Sequence, residues 1–367
     1  MVKLNGDIYT RNGATKVNIT VGEKFDEKKF FGIYELIMKN IDNMHGEIIT
    51  LDMSECRWVE NVIIPDILVL GEIVRSNYGK ILSLFLPRHG KDIHRIKSYL
   101  NDIKFIQIAE WEKNIDVKYI TYSEEEEIER ILPDYCITRM YKIDVEGLSD
   151  EEKKRKEKII TEQIGNDILN KYMELFQKYL SQFFYIKKTD TEDLVFNTIQ
   201  TFIIQISINA IVHGHRKAFV TMQANVKDNI CTVSIADNGD GITEGIREKY
   251  KKGIKMSLTA RDTFERYNSF HQDILASIEA IAYRYDDKIY GLYNVFLQVM
   301  DEEGEVHIHT NNVLLLFKQD CKAFIKNVQS KNEFAISLYN YLKQEKQNVI
   351  KTECFQGTHM KLLIPIR

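Results

Sequence analysis

The chain has 367 residues, a formal net charge of −4 and 44% hydrophobic residues. This length can bury ample core, and we expect two or three domains. The overall charge gives no electrostatic footprint for nucleic acid and argues against a nucleic-acid partner. The apolar runs are short of membrane-spanning length, the first residues lack a signal-peptide core, and five scattered cysteines favour reduced thiols. These features predict a cytoplasmic protein with no membrane partner.

The first 120 residues alternate strand-like and helical segments, which predicts an α/β domain with a partly parallel sheet. Predicted strands are 16–21, 47–52, 79–87 and a short closing strand at 106–108. Predicted helices are 25–44, 65–75 with Pro65 in the first turn, and 92–100.

Residues 121–188 predict a charged junction followed by a connector helix. Charge is dense at 123–130 and 149–158, which is typical of a solvated surface. Between 159 and 184 apolar residues recur at three-to-four spacing, as in a long amphipathic helix. This helix either packs on its own domain or mediates a homodimer.

The pattern of helical and strand-like segments in residues 189–367 predicts a second domain. Its expected elements are an N-cap at 189–193, a helix through 214, a strand at 230–236, a helix at 290–300, and strands at 304–310, 312–317 and 357–366.

Three polar residues lie at helical spacing in the nearly apolar stretch 201–214. Gln205, Asn209 and His213 fall at i, i+4 and i+8, hence on one face of the helix. Amides and imidazole on a buried helix cost free energy unless a polar group meets them. This pattern indicates a binding face.

A second motif, Asp237-Asn-Gly-Asp-Gly-Ile242, follows the strand-like run 230–236. It offers the Asp237 carboxylate and then Gly239 and Gly241, which let the backbone approach a ligand closely. The alternative is an ordinary hairpin turn, because Asn-Gly and Asp-Gly are strong turn pairs. Beside the Asn209 helix, the motif favours a nucleotide pocket that extends to Ile242.

The order of these motifs resembles the GHKL (histidine kinase-like) family of ATP-binding domains. The resemblance is carried by the Asn209 helix, the D-x-G-x-G-I sequence at 237–242, Gly291 before a helix, and Gly357-Thr358. It covers roughly residues 190–367 and is closest to the anti-sigma-factor kinase branch. It implies an α/β sandwich, with helices on one face of a mixed sheet, that binds ATP and Mg²⁺.

The resemblance also assigns roles to single residues. Asp237 would accept a hydrogen bond from the adenine amine, while Gly239 and Gly241 keep side chains out of the base and ribose pocket. Asn209 would offer an oxygen to Mg²⁺, which prefers oxygen ligands. Thr358 would support adenine, through water.

At the phosphate end, two positions depart from the family pattern. The family's general-base glutamate, four residues before the Asn, is Gln205 here, and a neutral amide cannot accept a proton. His213 is two turns away and is either a weak substitute or a structural residue at the helix end. The phosphate loop keeps one glycine, Gly291, before Leu292, although helix amides there can still face phosphate.

Residues 243–288 correspond in the family to a mobile lid over the γ-phosphate. Its basic residues are either phosphate contacts or exposed surface charges; they are Lys251, Lys252, Lys255, Arg261, Arg266 and Arg284.

The first ~115 residues are similar to STAS domains, the fold of anti-sigma-factor antagonists, on the strength of 49–60, a helix and 81–87. The serine that such domains phosphorylate at the head of that helix is absent, because Asn61 and Val62 stand there. We therefore expect an ATP- and Mg²⁺-binding regulatory protein that controls a protein partner with weak or no turnover. The alternatives are an active serine/threonine kinase or slow ATPase, which Gln205→Glu would accelerate, and an interaction module with an empty pocket.

Overall fold

The chain has mixed α/β structure that separates into two units, Met1–Met140 and Tyr141–Arg367. The computed structural model describes residues 9–11, 14–43, 47–86, 91–118, 136–142, 148–167, 190–214, 217–225, 229–251, 253, 257–258, 264–283 and 292–365. The predicted boundaries near 120 and 188 both fall outside these ranges, so the domain limits stay predictions.

The first unit contains a five-stranded sheet. Its strands are β1 (Tyr9–Arg11), β2 (Ala14–Thr20), β4 (Ile48–Asp52), β6 (Ile81–Phe85) and β7 (Ile115–Lys118), in the order β1-β2-β4-β6-β7. The pairs β2–β4, β4–β6 and β6–β7 are parallel and β1–β2 is antiparallel. The partly parallel sheet is therefore confirmed. A separate parallel ribbon pairs β3 (Lys24–Phe25) with β5 (Trp58–Val59).

Four helices connect these strands within the described part of the unit. They are α1 (Glu27–Asn40), α2 (Ile64–Tyr78), α3 (Lys91–Asp102) and α4 (Phe105–Glu112). Pro65 stands in the first turn of α2, as predicted, and Gly79 ends the helix with φ of 63°.

The closing strand predicted at 106–108 is wrong, because these residues lie in α4. Phe105, Ile106, Ile108 and Ala109 are all buried, which is a helical rather than an alternating pattern. The sequence Ile106-Gln-Ile108 alternates over only three residues, too few to distinguish the two periods.

The second unit is built on another five-stranded sheet. Its strands are β8 (Cys136–Lys142), β9 (Lys217–Asn225), β10 (Ile230–Asp237), β11 (Glu305–Phe317) and β12 (Val349–Pro365), in the order β11-β12-β10-β9-β8. The edge strand β8 crosses the boundary between Met140 and Tyr141, so its first residues are counted with the first unit. The pairs β9–β10, β10–β12 and β11–β12 are antiparallel. The expected parallel strands of a mixed sheet do not occur among these three pairs, because β9 and β10 form a hairpin and β12 returns between β10 and β11.

Strand β11 joins the two strands predicted at 304–310 and 312–317. Its pairing with β12 shifts register between Thr310 and Val313, and Asn311 adopts φ of 50°. The predicted break is therefore a bulge within one strand. Strand β12 begins at Val349, eight residues before the predicted start.

Helices of the second unit surround this sheet. Those in the described ranges are α5 (Asp150–Asp167), α6 (Asp190–Gly214), α7 (Ile242–Lys251), α8 (Ser269–Ala282), α9 (Leu292–Asp301), α10 (Cys321–Ile325) and α11 (Lys331–Gln344). Helix α5 covers the start of the predicted 159–184 helix, whose remainder lies outside the described residues. Helices α10 and α11 were not predicted.

Helix α6 packs against β9, β10 and β12 and also against α9. Phe202 of α6, Phe296 of α9 and Met360 of β12 line a closely packed apolar layer between them. This layer fixes α6, which carries the polar motif, next to β10, which ends at Asp237.

Among the side chains that the structure describes, three cysteines are free and buried: Cys56 in the first unit, and Cys231 and Cys321 in the second. Burial raises the pKa of the Cys231 thiol to about 12. No helix in the described ranges is both long and apolar enough to cross a bilayer.

Candidate functional site

Asp237 is a buried carboxylate at the end of β10. Its side chain is 7% exposed, and its Oδ1 accepts a hydrogen bond of 2.8 Å from the Gly239 backbone N–H. Burial raises the pKa of Asp237 to about 7, against the lowering effect of backbone N–H groups from Gly239 and Thr358. Asp237 is therefore held by backbone donors in a site with little water.

Gly357 and Thr358 of β12 lie against Asp237. Gly357 has φ of +90°, and a Cβ built there would stand 1.9 Å from the Asp237 carbonyl oxygen and 3.0 Å from its Oδ1. Any side chain at this position would displace the Asp237 backbone. Thr358 contributes its backbone N–H to the carboxylate. The structure thus brings together Asp237, Gly239 and the Gly357-Thr358 pair.

Gly241 and Ile242 contact the bulge in β11. Gly241 has φ of +80°, and a Cβ there would stand 2.2 Å from Asn311 Oδ1 and 2.9 Å from Thr310 Oγ1. The Ile242 N–H donates to Thr310 Oγ1 over 3.1 Å. The positive φ and the close contact with β11 both favour glycine at this position, whatever the ligand.

Thr310 and Asn311 were missed from the sequence. The available signal was the polar run Thr310-Asn-Asn312 inside an otherwise strand-like segment. Because the bulge depends on pairing with β12, nothing local in the sequence places it against Gly241.

Gln205 and Asn209 lie on the half-buried face of α6. Phe202, Ile206 and Ala210, on the adjoining face, are buried. The two amides therefore stand at the edge of the apolar layer, where they can reach a polar ligand. His213 lies in the last turn of α6, and its side chain is outside the described part.

At the predicted phosphate end, Leu292 is the first residue of α9, and its side chain lines the apolar layer. This contact gives Leu292 a packing role. Gly291 lies outside the described residues. The same is true of four basic candidates of the lid, Lys252, Lys255, Arg261 and Arg284. Lys251 and Arg266 are exposed, and Lys251 Nζ lies 3.9 Å from Glu244 Oε1.

The predicted lid, 243–288, contains a helix that is part of the core. Ten of the fourteen residues of α8 are buried, and α8 packs against α7, α9, α11 and β11. The part of the predicted lid that forms α8 is therefore packed into the core.

Among the residues that the structure describes, no group of three or more His, Cys, Asp and Glu side chains could hold a metal ion by itself. A magnesium ion held by phosphate oxygens, waters and one amide oxygen needs no such group. The half-buried Asn209 side chain is compatible with that kind of ligand.

The arrangement combines a buried acceptor, glycine-lined backbone and a helix edge with two amides. The carboxylate can accept a hydrogen bond from a planar donor group, and the amides of α6, a helix that packs against β10, can offer neutral oxygens. Comparison with family models, with curated proteins and with solved structures finds no match to this chain.

Proposed function

We propose that the second unit is a GHKL-type domain that binds ATP with Mg²⁺ and controls a protein partner. The observation that carries the proposal is Asp237, a buried carboxylate at a strand end whose backbone is touched by a glycine. Burying a carboxylate costs free energy, so its retention is accounted for by a ligand that donates to it.

The proposed adenine contact agrees with the donor and acceptor inventory of this site. A carboxylate has about four lone-pair positions, and the two backbone N–H groups leave capacity for an exocyclic amine. Adenine presents an amine at this edge, whereas guanine presents a carbonyl oxygen, which a carboxylate repels. Asp237 would therefore select adenine.

Bound Mg²⁺ would neutralise phosphate charge and fix the phosphate conformation. Of this chain's residues, Asn209 would supply an oxygen ligand from the edge of α6. Gln205, one turn earlier, would orient a water molecule without removing its proton. Binding is therefore favoured over turnover.

The proposed regulatory mechanism depends on occupancy. A ligand present at about 100 times its dissociation constant stabilises the bound form by about 2.7 kcal/mol. That free energy is sufficient to favour a bound conformation with a different surface for a partner. The partner is a protein, and a second copy of the chain is one candidate.

The first unit is proposed to be a STAS-like domain that takes part in this control. Its partly parallel sheet and the helix α2 after Asn61–Ile63 support that proposal. Val62, Ile63 and Ile64 are buried, so no hydroxyl is offered at the head of α2. Regulation there would act through contacts rather than through phosphorylation. We propose that the protein acts in the cytoplasm.

A thermal-shift experiment tests the nucleotide site. Wild type, Asp237→Ala and the matched control Asp52→Ala, which changes the strand-ending aspartate of β4, are heated with ATP, ADP or a non-hydrolysable ATP analogue, each with Mg²⁺. We expect nucleotide to stabilise wild type and the control but not Asp237→Ala. A larger shift with triphosphates would support γ-phosphate sensing. No shift of wild type at millimolar nucleotide would overturn the proposal.

A further inference from the structure

Helix α8 carries a buried carboxylate, Asp273, that no expected role explains. Its side chain is 2% exposed. Oδ1 accepts a hydrogen bond of 2.6 Å from the Thr243 hydroxyl. Oδ2 accepts two more from Asn312, over 3.1 Å from the backbone N–H and 2.9 Å from Nδ2. Both carboxylate oxygens are therefore satisfied by residues from two other elements.

A buried carboxylate is destabilising unless its hydrogen bonds are made, and three donors offset much of that cost. An apolar residue would fill the same space without this requirement. Unlike apolar contacts, the hydrogen bonds of the carboxylate are directional, so they fix the positions of Thr243 and Asn312 relative to α8. Asp273 therefore sets the position of both segments.

The two segments that Asp273 holds are joined again on their other side. Thr243 directly follows Ile242, whose N–H donates to Thr310 Oγ1 over 3.1 Å. The Thr310 hydroxyl lies 2.9 Å from Asn311 Oδ1 and 3.3 Å from the Gly357 carbonyl oxygen, to either of which it can donate.

These contacts form a closed path through Thr243, Asp273, Asn312, the 310–311 bulge and Ile242. The path runs beside Gly241, where a built Cβ would stand 2.2 Å from Asn311 Oδ1. It also reaches Gly357, which touches Asp237. The geometry of the proposed adenine loop, 237–242, thus depends on a side chain from α8.

We propose that Asp273 is a positioning residue for the nucleotide-binding loop, acting through Thr243 and Asn312. This inference rests on the proposed function, since it assigns a further determinant of the same site. Asp273 does not itself touch nucleotide in this proposal. It holds the Gly239–Thr243 backbone in the conformation that the ligand requires.

The same helix supplies a matched comparison. Glu279 is also 2% exposed, and it accepts from the Ser257 N–H over 2.8 Å and pairs with Lys331 Nζ at 2.8 Å. Its contacts lead away from loop 237–242. Glu279 and Asp273 therefore share burial, charge and helix but not the connection to the site.

The test measures Mg²⁺–ADP affinity by calorimetry on full-length protein, because ADP lacks the γ-phosphate that the lid would contact. The variants are Asp273→Asn, Thr243→Val, Thr243→Ser and Glu279→Gln. We expect Asp273→Asn and Thr243→Val to weaken ADP binding about tenfold. Thr243→Ser keeps the hydroxyl and Glu279→Gln lies off the path, so both should stay within about twofold of wild type.

Amide hydrogen exchange without nucleotide gives a second readout. A misfolded variant would show faster exchange throughout the chain. We expect faster exchange confined to 239–243 in Asp273→Asn and Thr243→Val. Wild-type affinity in both path variants, or an equal loss in Glu279→Gln, would overturn the positioning role while leaving nucleotide binding intact. Failure of wild type itself to bind ADP would instead refute the proposed function.

Discussion

Each unit has a strand that ends in an aspartate with the same local geometry. In the first unit Asp52 ends β4, and its Oδ1 accepts from the Ser54 N–H over 2.9 Å. In the second, Asp237 ends β10, and its Oδ1 accepts from the Gly239 N–H over 2.8 Å. Both contacts are the turn that aspartate commonly forms with the backbone two residues on.

The two aspartates differ in what surrounds that turn. Asp52 is half-buried and is followed by Met53, Cys56 and Val59, which are buried in the core. Asp237 is buried and is followed by two glycines, and Gly357 from another strand touches its backbone.

The comparison shows that an aspartate turn alone does not identify a site. A ligand site is indicated where the turn is also buried and where neighbouring strands leave backbone rather than side chains around it. That second condition depends on contacts distant in sequence, so motif spacing alone cannot establish it.

The largest effect should come from Gly357, the glycine that distinguishes the Asp237 turn from the Asp52 turn. Gly357→Ala places a Cβ 1.9 Å from the Asp237 carbonyl oxygen at a φ of +90°, so we expect a loss of more than about 4 kcal/mol of stability. The matched control is Gly79→Ala in the first unit, which has φ of +63° and open space around the built Cβ. It should lose only about 1 kcal/mol from backbone strain. Chemical unfolding of both variants measures the difference, and equal losses would contradict the close contact.

The next prediction concerns stability and pH. Because the pKa of Asp237 is raised from 3.8 to about 7, the folded protein keeps this proton at pH values where the unfolded chain has released it. The carboxyl therefore lowers stability progressively as pH rises from about 4 to about 7. The unfolding free energy of Asp237→Asn should therefore rise relative to that of wild type by on the order of 3 kcal/mol between about pH 5 and about pH 8.

The control for that series is Asp52→Asn, which changes a half-buried side chain in the same kind of turn. We expect its difference from wild type to vary much less over the same pH range. Unfolding free energies at four pH values decide between these outcomes. If the difference in unfolding free energy between Asp237→Asn and wild type does not depend on pH, the raised pKa of Asp237 is contradicted.

A smaller effect should appear in nucleotide binding. The adenine amine requires the ionised form of Asp237, whose pKa is about 7, so ADP affinity should fall about tenfold from pH 8 to pH 6. Asp237→Asn keeps an acceptor oxygen but cannot titrate, so its affinity should follow only the titration of the ligand. Calorimetry at both pH values with excess Mg²⁺ measures this, and parallel curves would argue against Asp237 as the contact.

The sequence predicted those parts of the fold that depend on local periodicity. Helices α2, α6 and α9 and strands β4, β6 and β10 lie where the pattern of apolar residues puts them. The prediction was wrong at 106–108, where three residues fit either period. It also omitted strands β7 and β9 and helices α10 and α11. It also split β11 at Asn311, since a bulge and a turn have the same polar composition.

For the site, sequence reasoning identified Asp237, Gly239 and Gly357-Thr358, which the fold does bring into contact. It did not identify Asp273 or Asn312. Asp273 lies in a helix that the resemblance assigns to a lid. Its hydrogen bond to Asn312 forms only because α8 packs beside β11. Long-range hydrogen bonds of this kind leave no periodic trace.

The buried free cysteines provide an internal label for each unit. A thiol at 0% exposure and raised pKa, such as Cys231 in β10, reacts with an alkylating reagent only when its strand opens. Cys56 provides the same measurement for the first unit. With Cys136 and Cys354 replaced by serine and the buried Cys321 by alanine, the alkylation rates of Cys56 and Cys231 would report the opening of the two units separately in one sample. Protection of Cys231 but not of Cys56 by nucleotide would locate the binding energy in the second unit without any added probe.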